Sequence, residues 1–373
     1  MDAPTLPASQ CAKMVALTSH FNGESVHMND IKLASVDLAK NKFQMCLIDM
    51  NNRVVKNLKI TRAKLLDRIR QLPQGTTIAM EACSSSHYWA REFQQMGFKA
   101  LLIPAQHVKP FVGKQKNDAN DARAIAEAAS RPSLSPVPVK TIEQQDIKMI
   151  RSSRDRLVRA RTALVNHLRG HCAERGVIMP QGIGQFRKRV AVVLEDGENG
   201  LSVTARELLS QGYDELVELD ERISALEHRQ KQLCQTMEDY ERLLEIPGVG
   251  PMNAAAIMSE IGDGSQFKSG REYAAFCGLV PRQHSSGETT IMLGITKNGN
   301  RQLRTLLVHS ARTLVRYMEN KNDALSLWVK EVAARRGKNK AIVALANKLA
   351  RICWAVLFHK RPYQAELASA RSV

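Results

Sequence analysis

The sequence predicts an α/β domain followed by a largely helical remainder. Three observations carry that prediction. Short apolar runs with tight polar breaks fill residues 31–104. A three-four apolar spacing runs through 216–244 with one polar break at Gln230. Beyond residue 243, glycine-punctuated helical patterns dominate.

The first 28 residues lack a basic segment followed by an apolar run, so they do not read as a signal peptide. Residues 1–29 are expected to be a weakly ordered tail. IKLASVD (31–37), KFQMCLID (42–49) and RVVKNLKI (53–60) are strand candidates separated by polar breaks such as Asn51-Asn52. A helix is expected over 62–72, a strand at TTIAME (76–81), a helix over 85–96, and a strand at FKALLIP (98–104) stopped by Pro104. Another helix begins near Asn117. Three meandering strands followed by strand-helix-strand-helix is the order of an RNase H-like domain, expected over 30–165.

RPSLSPVPVK (131–140) carries three prolines and cannot be helical. Next, Ile147, Ile150, Leu157, Leu164 and Leu168 mark one helix face, with Arg151, Arg154, Arg159, Arg161 and Arg169 off it. Those arginines form either a solvated basic face or a phosphate-facing one. Leu216, Leu219, Ile223, Leu226, Gln230, Leu233, Met237, Tyr240 and Leu244 make a heptad seam with one polar break, a rod of roughly 40 Å. The seam needs a partner helix, in the chain or in another protomer, and self-association is the favoured expectation. Residues 166–242 are thus expected to be a helical coiled-coil linker.

LLEIPGVGPMNAAAIMSEIGD (243–263) reads as helix-hairpin-helix. Gly248 and Gly250 would let backbone amides approach a phosphate, and the following helix adds a positive dipole. A plain helical corner is the structural alternative. Residues 243–373 hold nineteen Lys+Arg against nine Asp+Glu. ITKNGNRQLRTLL (295–307) sets Lys297, Arg301 and Arg304 around a turn and a helix start, as candidate nucleic-acid contacts.

Composition points the same way. Across 373 residues, 54 Lys+Arg against 37 Asp+Glu give a formal charge of +17, typical of a protein that meets a polyanion. With aromatics at 5%, phosphate contact is a better default than base stacking. Seven cysteines without a Cys-x-x-Cys pair argue against a disulfide framework or zinc ribbon and suit a reducing cytoplasm. His167 and His171 have helical spacing but no third ligand. The apolar stretch 341–358 is interrupted by Asn347, Lys348 and Arg351 and reads as an amphipathic helix, so no membrane association is expected.

Asp37 ends the first strand, Glu81 ends the fourth, and Asp118 and Asp121 lie about one helical turn apart in KNDANDARAIAEAA (116–129). On an RNase H-like fold these four would share one small volume. Two unit charges 4 Å apart repel by roughly 4 kcal/mol at an effective dielectric near 20, so a divalent cation is needed. All-oxygen ligands suit Mg²⁺ or Mn²⁺. Singly, each acid has another reading: Asp118 as a helix cap, Asp121 as a first-turn acid, Glu81 as a cap, Asp37 as a turn residue.

VDLAKNKF (36–43), MEACSSSHYW (80–89) and KQKNDANDARAIAEAA (114–129) resemble the front half of the DEDD transposases. These are the insertion-sequence-110 and -1111 type recombinases, related to pilin-gene invertases. LLEIPGVGPMNAAAIMSEIGD, YAAFCGLVPRQHSSG (273–287) and ITKNGNRQLRTLLVHSA (295–311) resemble the back half. The resemblance covers roughly 31–361. It implies a RuvC-like front domain whose catalytic acids fall on Asp37, Glu81, Asp118 and Asp121. It also implies a mostly helical C-terminal transposase domain, 243–373, whose serine nucleophile falls on Ser286, with Ser285 the fallback. The family uses a noncoding guide RNA encoded by its own element, so DNA and RNA are the implied partners; a homo-oligomer (dimer or tetramer) is the expectation from the heptad seam. The expected location is bacterial cytoplasm, at the nucleoid. A water-using junction resolvase or nuclease with the same acids, and a non-catalytic architectural DNA-binding protein, are the alternatives.

Overall fold

The computed structural model describes residues 18–21, 24–27, 30–113, 117–132, 134–287 and 289–365. It divides into two compact units, 1–139 and 140–373. The domain border expected at 165 falls inside a continuous helix, Ile142–Ala173.

In the first unit, β1 (Thr18–Phe21) and β2 (Glu24–His27) form an antiparallel pair within the segment expected to be a weakly ordered tail. The rest of that tail lies outside the described residues. The main sheet holds β3 (Ile31–Asp37), β4 (Lys42–Asp49), β5 (Val54–Thr61), β6 (Thr77–Glu81) and β7 (Lys99–Ile103). Its order is β5-β4-β3-β6-β7. β3, β4 and β5 form an antiparallel meander, whereas β3, β6 and β7 run parallel. The parallel pairs require crossovers, and helices α1 (Leu65–Arg70) and α2 (Ser86–Gln95) supply them.

Strand alternation divides the side chains between two faces. Val36, Met45, Ile78 and Met80 pack with Leu65, Trp89 and Phe93 on one face. Leu33, Cys46, Ile48 and Ala79 pack on the other. There they meet α4 (Asp118–Ala129) and Val108, the last residue of α3 (Ala105–Val108). The buried face of α4 is built from Ala122, Ala124, Ile125, Ala126 and Ala128. Such small residues let its backbone approach closely enough for the Ser35 hydroxyl to donate to the Ala122 carbonyl at 2.6 Å.

The second unit is helical apart from one hairpin. α5 (Ile142–Ala173) opens with a capping box between Thr141 and Gln144. α6 (Ile183–Glu195) and α7 (Val203–Gln235) follow. The seam residues Leu219 and Ile223 bury against Leu157 of α5, with Leu226 at the edge. The seam therefore has its partner helix within the same chain, which corrects the argument for self-association from an unpaired seam. The rod is also shorter than expected. α7 ends at Gln235, Met237 is extended, and Tyr240 and Leu244 belong to a separate helix, α8 (Glu238–Leu244). The basic face of α5 is largely engaged internally. Arg151 is buried and donates to Ser259 at 3.1 Å, Arg154 pairs with Glu227, and Arg161 pairs with Asp220.

The main core of this unit joins α8, α9 (Pro251–Ile261), α10 (Gly270–Phe276), α11 (Arg301–Tyr317), α12 (Ala324–Arg336) and α13 (Lys338–His359). α13 is long and apolar enough to span a membrane by composition, but Ala341, Leu345, Leu349, Cys353 and Leu357 are fully buried in this core. Between α10 and α11 lies an antiparallel hairpin, β8 (Pro281–Ser286) and β9 (Thr289–Ile295).

Candidate active site

The first unit gathers the four predicted acids on one face of its sheet. Asp37 is the last residue of β3 and continues the face of Leu33 and Ser35. Glu81 is the last residue of the parallel neighbour β6 and continues the face of Ala79. Because the strands are parallel and in register, both carboxylates leave the same sheet end, on the side covered by α4. The helix begins there. Asn117 caps it by accepting from the Asn120 amide at 2.8 Å, so Asn117, not Asp118, is the cap. Asp118 and Asp121 occupy the first turn, where the helix dipole favours negative charge.

Three residues that sequence reading passed over hold this helix start. Asn57 of β5 donates from its amide to the Ala119 carbonyl at 2.9 Å and accepts from Gln44 of β4 at 2.5 Å. Lys59, two residues along the same face of β5, pairs with Asp118 at 3.2 Å. The available signal was the polar alternation of Asn57 and Lys59 on a strand whose other face carries Leu58 and Ile60.

Electrostatics tie the acids together. Burial first, then the charges of Asp121, Asp118 and Glu81, raise Asp37 from 3.8 to about 6. Burial, with Glu81 and Asp37 next in weight, also raises the Cys83 thiol. The acids thus feel one another, yet among the described residues no three His, Cys, Asp or Glu side chains approach closely enough to hold an ion as arranged. Asp118 is instead turned toward Lys59.

The predicted serine lies in the second unit, on the β8–β9 hairpin, where every described residue of both strands is at least partly exposed. Alternation separates the two hydroxyls. Ser285 shares a face with Gln283, whose amide donates to its Oγ at 2.7 Å, and Thr290 Oγ1 lies 3.3 Å away. Ser286 takes the opposite face, with His284. At the hairpin's foot, Gly278 (φ 68°) and Gly299 (φ 92°) interlock. A Cβ on Gly299 would meet the Phe276 carbonyl at 2.1 Å, and one on Gly278 the Asn298 carbonyl at 2.2 Å.

The other candidates separate. Lys297 is exposed in a left-handed turn (φ 56°), and Arg301 is exposed at the start of α11. Arg301 lines a groove of about 910 Å³ with Arg154, Arg159 and Met252. Arg304 is half-buried and donates to the Cys277 carbonyl at 3.0 Å, so it helps hold the hairpin foot. Gly248 (φ 81°) has a packing requirement of its own: an added Cβ would lie 2.6 Å from Leu314 Cδ1. Gly250, which precedes α9, faces open space.

Comparison with known proteins decides the family. Residues 34–174 match a DEDD transposase family described as "Transposase", and residues 240–325 match "Transposase IS116/IS110/IS902 family". The transposase for insertion sequence element IS1111A of Coxiella burnetii is 45% identical over 337 residues, covering 90% of this chain and 92% of that protein. The chain belongs to the IS110 family of insertion-sequence transposases. A probable family 20 transposase of Pseudomonas aeruginosa is 44% identical, covering 88% of this chain and 97% of that protein. The pilin gene-inverting protein of Moraxella lacunata is 30% identical over 49% of this chain and 57% of that protein.

This transposase is therefore a DNA-processing enzyme, and its DEDD family implies a divalent metal cofactor. The residues fit such an ion in chemistry. Four carboxylates at this sheet end offer only oxygen donors, and Asp37 is raised to about 6 by burial and then by the charges of Asp121, Asp118 and Glu81, which a cation would offset. Releasing Asp118 from its exposed pair with Lys59 costs little, since such pairs contribute about 0–1 kcal/mol.

Proposed function

We propose that this transposase cuts and rejoins DNA through Ser286, assisted by a divalent ion held by Asp37, Glu81, Asp118 and Asp121 in an RNase H-like, RuvC-like first unit. The observation that carries the reading is the placement of Asp37 and Glu81 at adjacent parallel strand ends under the first turn of α4, which holds Asp118 and Asp121; burial, and then the charges of Asp121, Asp118 and Glu81, raise Asp37 to about 6. Mg²⁺ or Mn²⁺ would supply Lewis-acid stabilisation of the reacting phosphate. Asp37 and Glu81, fixed by paired strand ends, would give the site its rigid side. Asp118 and Asp121, on the first helical turn, would give it the side that adjusts. Lys59 competes for Asp118 when the acids are uncompensated.

Ser286 is preferred to Ser285 because the Ser285 hydroxyl already engages Gln283 and Thr290 across the hairpin. Attack by Ser286 Oγ on a phosphodiester forms a serine–phosphate bond and releases a deoxyribose hydroxyl. Return of that or another hydroxyl rejoins the strand, so the energy of the bond is retained. The formal charge of +17 and the scarcity of aromatics favour backbone contacts and suit an enzyme that leaves sequence reading to a noncoding guide RNA. Assembly as a dimer or tetramer in the bacterial cytoplasm, near the nucleoid, completes the reading.

The test is a denaturing gel with labelled DNA, guide RNA and divalent metal. Wild type should retain label on the protein until protease is added, and Ser286→Ala should not. Persistence of the adduct in Ser286→Ala with its loss in Ser285→Ala would move the nucleophile by one residue. Ordinary strand cleavage without any adduct would favour a water-using nuclease.

A further inference from the structure

A second candidate site lies at the foot of the hairpin. A pocket of about 750 Å³ is bounded by the hairpin ends Pro281 and Ile295, by Trp328 of α12 and by one face of α13. Lys340, Lys348 and Arg351 enter it from α13, and Arg335 from the end of α12. The α13 residues recur at helical spacing, which stacks them on one side of that helix. One acid, Glu331, faces the four cations. Among the described residues, no carboxylate lies within ion-pair distance of Arg335, Lys340 or Lys348. Lys348 rests its ammonium 4.5 Å from the Trp328 ring centre.

Gathering cations with one opposing acid disfavours the free state. Burial and then the Arg351 charge hold Lys348 below the ordinary lysine range, and burial and then Arg271 do the same to Arg351. An anion entering the pocket relieves both penalties. The pocket opens beside Pro281 and Ile295, at the foot of the exposed hairpin of a DNA-processing enzyme.

We infer that this pocket binds a backbone phosphodiester of the nucleic-acid strand presented to the β8–β9 hairpin. The site would hold that strand at the hairpin foot, on the way to the serine at the other end of β8, and the positional role rests on Ser286 being the nucleophile. Phosphate recognition itself does not. Arg335 and Lys340 are exposed and reach from helix ends, so their neutralisation leaves the core unchanged.

The experiment titrates the full chain with labelled DNA duplex and, separately, with labelled single-stranded RNA at two salt concentrations. For Arg335→Gln/Lys340→Gln, loss of two phosphate contacts should make log Kd less steep in log salt by about 1.8 for duplex and about 1.4 for single strand. Between 50 and 200 mM salt, the duplex affinity advantage of wild type should then shrink by roughly 12-fold. Glu331→Gln should act in the opposite direction and tighten binding. A change with DNA alone assigns the pocket to donor or target, a change with RNA alone assigns it to the guide, and a change with both assigns it to the shared backbone. Unchanged slopes on both ligands, with native melting behaviour, would overturn the inference. The two readings fail separately: absence of a covalent adduct with the wild-type protein would count against the nucleophile and leave the pocket standing or falling on its own titration.

Discussion

Asp37 carries the sharpest prediction because burial and its acidic neighbours make its charge oppose folding. Replacing it with Asn removes one of four mutually repelling carboxylates and keeps the side chain's shape. A rise from 3.8 to about 6 corresponds to roughly 3 kcal/mol if nothing screens it. Asp37 is half-buried, and solvent reduces that to about 1–2 kcal/mol. For a unit of this size, that is a melting shift of roughly 3–8 °C. The sign follows from linkage. Below about pH 4 the carboxyl is protonated in both folded and unfolded chains, and its contribution is intact. As pH rises through about 6, the unfolded chain releases the proton more readily, and the folded state loses that contribution. In calorimetry with a chelator present, Asp37→Asn should match wild type near pH 4 and melt higher at pH 7.5. Divalent metal should then raise wild type at pH 7.5 and raise the variant much less. If Asp37→Asn melts lower than wild type at pH 7.5 without metal, the acids do not repel as a group and the shared-site argument is refuted.

The remaining predictions test the rest of the structure. Glu81→Gln, Asp118→Asn and Asp121→Asn should each abolish recombination in a plasmid assay while leaving circular dichroism unchanged; full activity in two of them would remove the acid set. Leu226→Asp with Leu233→Asp should loosen α7 from α5 and lower stability by several kcal/mol, read as a drop in urea midpoint, because the seam is closed within the chain. Gly248→Ala should destabilise by about 1–3 kcal/mol through its positive φ and the contact with Leu314, whereas Gly250→Ala should not move stability and should weaken DNA binding if its amide meets phosphate. Neutralising Lys297 and Arg301 should flatten the salt dependence of DNA binding by about 2, and Arg304→Gln should instead lower the melting temperature by releasing the Cys277 carbonyl.

What could be read from sequence depended on whether a residue has one buried face. β3 and β4 were expected at 31–37 and 42–49 and lie there, because alternate residues on each strand enter two different cores. The expected fold grouped Asp37 and Glu81 at adjacent strand ends, and the parallel register of β3 and β6 is what puts them on a common side. The heptad seam was equally visible, but periodicity reports that a helix needs a partner and not which helix fills the role. It also ran on through Tyr240 and Leu244, because α8 buries its own residues at the same spacing after the break at Met237. Arg151, Arg154 and Arg161 looked like a free basic face since residue type alone does not reveal Ser259, Glu227 or Asp220 across the gap.

The hairpin was missed for the opposite reason. PRQHSS and TTIMLGI bury neither face, so no period of two marks them as strands. An isolated two-stranded ribbon is only marginally stable in water. This one is tied down at its foot, where Gly278 and Gly299 interlock and Arg304 holds the Cys277 carbonyl. Beyond the foot, Ile291, Met292 and Leu293 are 47–61% exposed with no core to enter. A segment built that way gains its order from whatever it meets. On the proposed reading, the acids on a prebuilt sheet take up a cation, and the serine on an exposed ribbon takes up a strand. The hydroxyl would then become reactive only in the assembled complex, where acids, cation and strand meet it.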